Sequence, residues 1–247
     1  MHKNAVFSRV LVVLGLLLAV SGVAWAQTDT VPTSKGDLKI TPIAHASFQL
    51  QWDGKIIYID PSGQVGGDYS ALPKGDLILV TDVHGDHQDR AKIDLLKKAS
   101  TILVAPKAVA ATITEAQVIS NGEKKTVAGV EIEAVPMYNL VRGPQPGTLF
   151  HDKGRGNGYI LTMGGKRLYI AGDTECIAEM KALKNIDVAF VPMNLPYTMP
   201  PSEAAGCVNA FKPKIVFPYH HRGSNLEEFA SAVQGTPGVE IRLLKWY

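Results

Sequence analysis

The segment Thr81–His87 contains two histidines and two aspartates within its last six positions. It directly follows an apolar run, Leu77–Val80, whose composition is typical of a buried strand. Imidazole and carboxylate groups together suit a borderline divalent metal such as zinc, iron or manganese. The pattern therefore predicts a metal site on a loop that is held by a rigid sheet.

Two other segments place a metal-ligating residue type just after an apolar strand. Asp173 follows Leu168–Ala171 and one glycine, and His220 follows Ile215–Pro218 and one tyrosine. Binding residues are often carried on loops that a rigid scaffold positions. We expect the three strand-end loops to converge on one point.

Taken together, these segments resemble the motifs of the metallo-β-lactamase superfamily of metal-dependent hydrolases. That family carries HxHxDH after a strand, a later histidine, a Gly-Asp-Thr strand end and a last histidine. The matching residues are Asp82, His84, Asp86 and His87, then Gly172-Asp173-Thr174, and then His220. His45-Ala46-Ser47 and Ile59-Asp60-Pro61 are similar to the opening of the lactonase-like branch. The resemblance thus covers nearly all of the chain after the first 26 residues.

The resemblance implies a set of ligand roles and a chemistry. One metal ion would be held by Asp86, His87 and His220. A second ion would be held by Asp82 and His84, and Asp173 would bridge the two. The implied metal is zinc, as one or two ions, with manganese or iron as alternatives. The implied reaction is attack of a metal-activated water, oriented by Asp86, on an ester, a lactone or a phosphoester. The alternative is a non-catalytic metal- or small-molecule-binding protein on the same fold.

Two departures from the family pattern affect the second metal position. Asp82 stands where the family has its first histidine, and Tyr138 and Asn139 stand where the later histidine is expected, as possible contacts of metal or substrate. His151, in a long Gly/Pro-rich loop, is a replacement ligand, a substrate contact or a solvated histidine. We expect one firmly held metal and a second that is weaker, or harder than zinc because its shell is rich in oxygen.

Several other polar residues have two readings each. His45 is either a buried, hydrogen-bonded histidine or a residue that orients a metal ligand. Asp60, before Pro61, either supports a turn, which is the favoured reading, or binds metal, and Asp89 is expected to begin a helix. Substrate contacts or loop residues without a role are expected at Tyr138, Arg142, Asn194, Tyr197 and Arg222.

The remaining pattern predicts the fold class. Short β-branched and aromatic runs alternate with helical segments in both halves, and Asp53-Gly54 is a strong signal for a two-residue hairpin turn. We therefore expect an α/β fold, a four-layer αββα sandwich of the metallo-β-lactamase type. Residues 27–37 are polar and predict a loosely docked start. Ser202 is expected to cap a helix that ends at Phe211.

The first 26 residues have the features of a secretory signal peptide. Lys3 and Arg9 precede an apolar run, Val10–Ala24, and Ala24-Trp25-Ala26 has the form of a cleavage site. The run is short for a bilayer span of about 20 residues, which argues against an uncleaved membrane anchor. We expect one metallo-hydrolase domain from 27 to 247, periplasmic or secreted, with no stable membrane anchor after cleavage.

The numbers of basic and acidic residues indicate which kinds of molecule the protein binds. Without the leader, Lys plus Arg falls from 25 to 23, because Lys3 and Arg9 leave, and Asp plus Glu stays at 23. The net charge is then near zero, and no basic cluster is present that would follow a nucleic-acid backbone. We expect a small-molecule substrate and no nucleic acid. The sequence leaves the oligomeric state open.

The chain has two cysteines, Cys176 and Cys207. An exported protein could pair them, and the sequence does not establish the distance that a disulfide needs. Because a chain of this length can build a sufficient core without a covalent link, unpaired thiols are the favoured expectation. Cys176 lies three residues after Asp173 and is an alternative lining residue of the site.

Overall fold

A computed structural model describes residues 28–247, and it contains two seven-stranded sheets. The predicted signal peptide lies outside the described residues. Within residues 28–247, no helix is long and apolar enough to cross a membrane.

The first sheet holds its strands in chain order. Strands β1 to β4 are antiparallel, and β4 to β7 are parallel. The strands are β1 (Asp29–Thr33), β2 (Gly36–Ala44), β3 (Ser47–Trp52), β4 (Lys55–Ile59), β5 (Leu77–Leu79), β6 (Ile102–Ala105) and β7 (Gln117–Val118). Both residues of the Asp53-Gly54 turn have positive φ, 48° and 70°. The predicted hairpin between β3 and β4 is thus confirmed.

The second sheet repeats the same arrangement, antiparallel from β8 to β11 and parallel from β11 to β14. Its strands are β8 (Lys124–Val127), β9 (Val130–Met137), β10 (Gly156–Met163), β11 (Lys166–Ile170), β12 (Val188–Pro192), β13 (Ile215–Tyr219) and β14 (Glu240–Ile241). The helices are α1 (Arg90–Leu96), α2 (Lys107–Ala110), α3 (Ala178–Lys181), α4 (Pro201–Phe211) and α5 (Leu226–Val233). Asp89 caps α1 as expected, since its side chain accepts from two backbone N–H groups of the first turn.

Three apolar layers hold the sandwich together. The central layer joins the inner faces of the two sheets, where the rings of Phe48 and Phe190 stack at 4.4 Å. Helices α1 and α2 pack on the outer face of the first sheet, and α3, α4 and α5 on that of the second. The predicted four-layer αββα architecture is confirmed.

The topology brings the strand-end loops to one edge of the sandwich. Strand β5 lies in the parallel part of the first sheet, and β11 and β13 lie in the parallel part of the second. Hydrogen bonds cross between the sheets there, from Asn157 N to Thr81 O at 2.9 Å and from Tyr159 Oη to Val80 O at 2.7 Å. The loops that follow β5, β11 and β13 are therefore fixed against one another.

Two sequence-based expectations about local structure are wrong. Residues 29–33 are not loosely docked but form β1, which pairs with β2 along its whole length. Pro32 is compatible with this because β1 is an edge strand. Ser202 is not the cap of α4, since the helix begins at Pro201. Proline suits the first helical position, where a missing N–H costs nothing.

The expectation of unpaired cysteines is also wrong. Cys176 and Cys207 form a disulfide, with their Cα atoms 5.6 Å apart. Cys207 lies on the buried face of α4, and Cys176 lies in the segment that packs against that helix. Tertiary packing brings the two together, and sequence spacing alone contains no information on that distance. The bond ties the segment after Asp173 to α4.

Candidate metal centre

Four predicted ligands lie together at the edge of the sandwich. The ligating atoms of Asp86, His87, Asp173 and His220 are all within 4.8 Å of one another. Asp173 lies 3.3 Å from His87 Nε2 through Oδ2 and 3.2 Å from His220 Nε2 through Oδ1. We call these four residues the first cluster. The loops after β5, β11 and β13 each contribute to it.

A second cluster is formed by Asp82, His84 and His151, whose ligating atoms also lie within 4.8 Å of one another. His151 is 1% exposed, which excludes a solvated loop histidine. Its Nε2 lies 3.3 Å from Asp173 Oδ2, the same oxygen that faces His87. Asp173 therefore stands between the clusters. His151 is thus the third candidate ligand of the second cluster, although it comes from a segment 12 positions after Asn139.

The residues fit a divalent cation. His87 Nε2, His151 Nε2 and Asp173 Oδ1 are buried and have no hydrogen-bond partner within residues 28–247. Unpaired buried polar atoms are rare, and each costs about 1–3 kcal/mol. Metal ions in the two clusters would satisfy these atoms, and the mixture of imidazole and carboxylate suits zinc, manganese or iron.

The pKa shifts of the site residues in the metal-free protein also favour a bound cation. Burial alone would raise the pKa of Asp173, but His220, His87 and His151 hold it well below its ordinary value. Burial alone would likewise lower the pKa of His87, yet the carboxylates of Asp173, Asp60 and Asp86 raise it well above the ordinary value. Asp173 is thus ionised, burial raises the pKa of Asp60, and a positive charge is favoured beside Asp173.

Asp60 has a role that the sequence reading missed. Its carboxylate is wholly buried and lies 2.9 Å from His87 Nδ1. It also accepts hydrogen bonds from the backbone N–H and the hydroxyl of Thr81, each at 2.7 Å. Holding Nδ1 in this way turns Nε2 of His87 towards the first cluster. Asp60 therefore orients a candidate ligand, where the sequence suggested support of a turn.

Asn139 supports His151 and is not itself placed among the candidate ligands. Its Oδ1 accepts a hydrogen bond from His151 Nδ1 at 2.6 Å, which leaves Nε2 of His151 for the second cluster. Its amide nitrogen donates to Glu175 Oε1 at 3.1 Å and to the backbone oxygen of Tyr197 at 2.9 Å. Tyr138 points elsewhere, since its hydroxyl donates to Glu179 at 3.0 Å.

Arg142 forms an ion pair with Glu175, the carboxylate that contacts Asn139. Its guanidinium lies 3.1 Å from Glu175 Oε2 and 2.8 Å from Glu203 Oε2. Glu175 is 1% exposed, so the pair neutralises a buried carboxylate. The expectation that Arg142 contacts substrate or has no role is therefore wrong. Its guanidinium pairs with Glu175, which accepts a hydrogen bond from Asn139, the residue that holds His151.

His45 lies between the chain's last tyrosine and the first cluster. Its Nε2 is 3.2 Å from Asp86 Oδ2, and its Nδ1 is 2.7 Å from the hydroxyl of Tyr247. The ionised Asp86 can only accept from Nε2 of His45, so Nδ1 of the neutral ring accepts from the hydroxyl of Tyr247, which itself accepts from the backbone N–H of His221. The neutral His45 then carries its proton on Nε2 and donates it to Asp86. Burial lowers the pKa of His45, in agreement with the neutral form.

Arg155 contacts the second cluster, a role that its position between Gly154 and Gly156 does not predict. Its guanidinium donates to both oxygens of Asp82 at 3.0 to 3.2 Å. Burial alone would raise the pKa of Asp82, but the nearby histidines and Arg155 lower it to about 2. A cation in the second cluster must share this carboxylate with a guanidinium. The first cluster has no such competitor among residues 28–247.

A cavity of about 420 Å³ opens over both clusters. His84, Asp86, His151 and Asp173 reach it from the clusters. Phe150 and Tyr197 also line it, with ring centroids 5.0 Å apart, and its polar lining residues include Gln64, Asn194 and Arg222. The cavity has the size and mixed lining of a small-molecule site.

Comparison with known proteins agrees with this geometry. Residues 39–220 match the model of a family described as the beta-lactamase superfamily domain. The chain is 32% identical over 232 residues to a UPF0173 metal-dependent hydrolase of Thermococcus kodakarensis, covering 83% of this chain and all of that one. A similar relative from Pyrococcus abyssi is 31% identical over 231 residues, with the same shares covered.

Solved structures show the same similarity. A protein from Parabacteroides distasonis, described as a metal-dependent hydrolase, superposes with a TM-score of 0.84 and 41% identity, covering 90% of this chain and all of that one. A metallo hydrolase from Ignicoccus hospitalis gives a TM-score of 0.68 at 25% identity, covering 84% of this chain and 95% of the other.

Proposed function

This chain belongs to the metallo-β-lactamase superfamily of metal-dependent hydrolases, and from that premise we propose that it hydrolyses an ester, a lactone or a phosphoester. The observation that carries the proposal is the position of His151. It completes a second ligand cluster against Asp173, so that both clusters open onto one cavity. A protein that only stored a metal would have no need of an adjoining pocket.

The residues have distinct roles in this proposal. Bound cations would lower the pKa of a water molecule and polarise the oxygen of the scissile group. Asp86 is 22% exposed at its side chain and lines the cavity, and its Oδ2 is held by the N–H of His45. Its other oxygen can accept a hydrogen bond from a water in the cavity. Asp86 thus orients the nucleophile, while Phe150 and Tyr197 exclude bulk water from one part of the pocket.

Zinc is the metal we propose for the first cluster. Two imidazoles and two carboxylates give a mixed nitrogen and oxygen shell that zinc accepts. The second cluster has two imidazoles and a carboxylate that Arg155 already contacts. We propose that its ion is bound more weakly. Manganese and iron remain the alternatives for both positions.

We also propose that the protein acts outside the cytoplasm. The leader-like sequence of the first 26 residues supports this, and so does the disulfide, because such bonds persist mainly in oxidising compartments. Fractionation of producing cells should recover a chain shortened by these residues from the periplasm or the medium.

A substrate screen tests the proposed activity. Purified protein, stripped with a chelator and reloaded with zinc, manganese or iron, is assayed on nitrophenyl esters, lactones, a phosphodiester and a β-lactam. We expect turnover of an ester, lactone or phosphoester that a chelator abolishes and added metal restores. A metal-loaded, folded protein that turns over none of these classes would contradict the proposal. That result would favour a non-catalytic binding protein.

A further inference from the structure

One arginine of the cavity has a charge that no other described residue neutralises. Arg222 lines the cavity over the clusters, and its side chain is exposed. Within residues 28–247, no carboxylate lies within ion-pair distance of its guanidinium. The two other arginines near the clusters both form ion pairs. Arg142 pairs with Glu175 and Glu203, and Arg155 pairs with Asp82.

The carboxylates of the site have other partners than Arg222. Asp86 and Asp173 are the only carboxylates among the cavity's lining residues in the described part of the chain. One divalent cation in the first cluster balances both of them. Asp82 is balanced by Arg155. Asp60, the fourth carboxylate of the site, is wholly buried against His87 and does not line the cavity, so none of the four is left to pair with the guanidinium of Arg222.

Arg222 lies where the cavity over the clusters meets a second cavity. Arg222 and Val65 line both the cavity over the clusters and a neighbouring cavity of about 490 Å³. The second cavity also includes His221, Ser224 and Tyr247. Arg222 thus lies at the boundary of the two, beyond the metal-facing floor. A guanidinium in such a place is suited to a carboxylate or phosphate, which it binds through two parallel hydrogen bonds.

We propose that Arg222 binds an anionic group of the substrate, so that the natural substrate is an ester or lactone that also carries a carboxylate or a phosphate. The proposal rests on the proposed hydrolase function. Hydrolysis adds one water across the scissile bond and releases an acid and an alcohol, and the anionic group is unchanged. The apolar part of such a substrate lies against Phe150 and Tyr197.

A matched pair of substrates tests the proposal in the metal-loaded enzyme. The nitrophenyl monoester of glutaric acid carries a free carboxylate, and nitrophenyl pentanoate has the same chain length without it. Arg222→Gln is expected to raise KM for the anionic ester about 10- to 100-fold and to change kcat/KM for the neutral ester by less than about twofold. Arg222→Lys should fall between, since it keeps the charge but not the paired hydrogen bonds.

Arg167→Gln is the matched control. Arg167 lies near the start of β11, whereas Asp173 follows the other end of that strand. Its guanidinium lies 3.8 Å from Glu133. This variant should leave both esters unaffected. Equal loss on both esters in Arg222→Gln, or no loss on either, would overturn the proposal.

A binding measurement separates this proposal from the hydrolase function. Calorimetry on the zinc-loaded protein compares glutarate with pentanoate. We expect the wild type and Arg167→Gln to prefer glutarate and Arg222→Gln to lose most of that preference. If the wild type turns over neither ester, the hydrolase proposal loses support, but the ratio of the two affinities still decides the role of Arg222. A wild type without the preference would overturn it.

Discussion

Replacement of Asp86 by alanine is expected to lower kcat/KM by about 10²- to 10⁴-fold on whichever substrate the wild type hydrolyses. Oδ2 of Asp86 lies 3.3 Å from His220 Nε2 and 3.2 Å from His45 Nε2. The substitution removes a candidate ligand and the group that orients the attacking water. The fall should be mainly in kcat, because few substrate contacts are lost. Steady-state kinetics at saturating zinc measure it.

The fold should tolerate this change. Asp86 lies in a loop, and its side chain is partly exposed, so the free energy of unfolding of the metal-free protein should change by only about 1 kcal/mol. Denaturant unfolding checks this. Asp37→Ala serves as a matched control, since Asp37 is exposed in β2 and distant in sequence from the clusters. Unchanged activity in Asp86→Ala would remove the residue from the mechanism.

Replacement of Asp60 by alanine is expected to destabilise the metal-free protein by about 3–5 kcal/mol. The carboxylate is wholly buried and accepts from His87 Nδ1 and from two groups of Thr81. Its loss leaves three buried donors without an acceptor, and it removes a charge partner of His87. Denaturant unfolding of the stripped protein measures the effect.

The same change should weaken metal binding about 10- to 100-fold, because His87 loses the contact that fixes its orientation. Asp60→Asn separates the two effects. Its amide oxygen can still accept from Thr81, so much of the stability should return, whereas its amide nitrogen cannot accept from His87 Nδ1. Metal affinity in this variant should stay low. Wild-type affinity in Asp60→Ala would show that Asp60 does not orient His87.

The strand-end ligands were predictable because their signal is local. An apolar run followed at once by Asp82, His84, Asp86 and His87 is readable from a dozen residues, and the same holds for Asp173 and His220. The two strand-rich halves likewise predict the sandwich, because sheets with one apolar face must pack together. The structure places all six side chains in two neighbouring clusters.

The supporting contacts were not predictable, because they join distant segments. The contact of His45 with Tyr247 spans 202 positions and that of Asp82 with Arg155 spans 73. Neither the periodicity of apolar residues nor a turn motif in the sequence predicts contacts between residues so far apart. His151 lies in a loop without periodicity, so its three readings could be separated only by its burial beside Asp173. The disulfide was not predicted for the same reason, because its two cysteines are 31 positions apart in sequence.

The central claim is that a hydrolytic metal centre lies at the first cluster and extends, more weakly, to the second. Anomalous scattering from crystals grown with limiting zinc tests it most directly. We predict a strong peak bounded by Asp86, His87, Asp173 and His220, and a weaker peak, or one that appears only at higher zinc, beside His84 and His151. Absence of a peak at the first cluster, or two equally strong peaks at limiting zinc, would contradict the account.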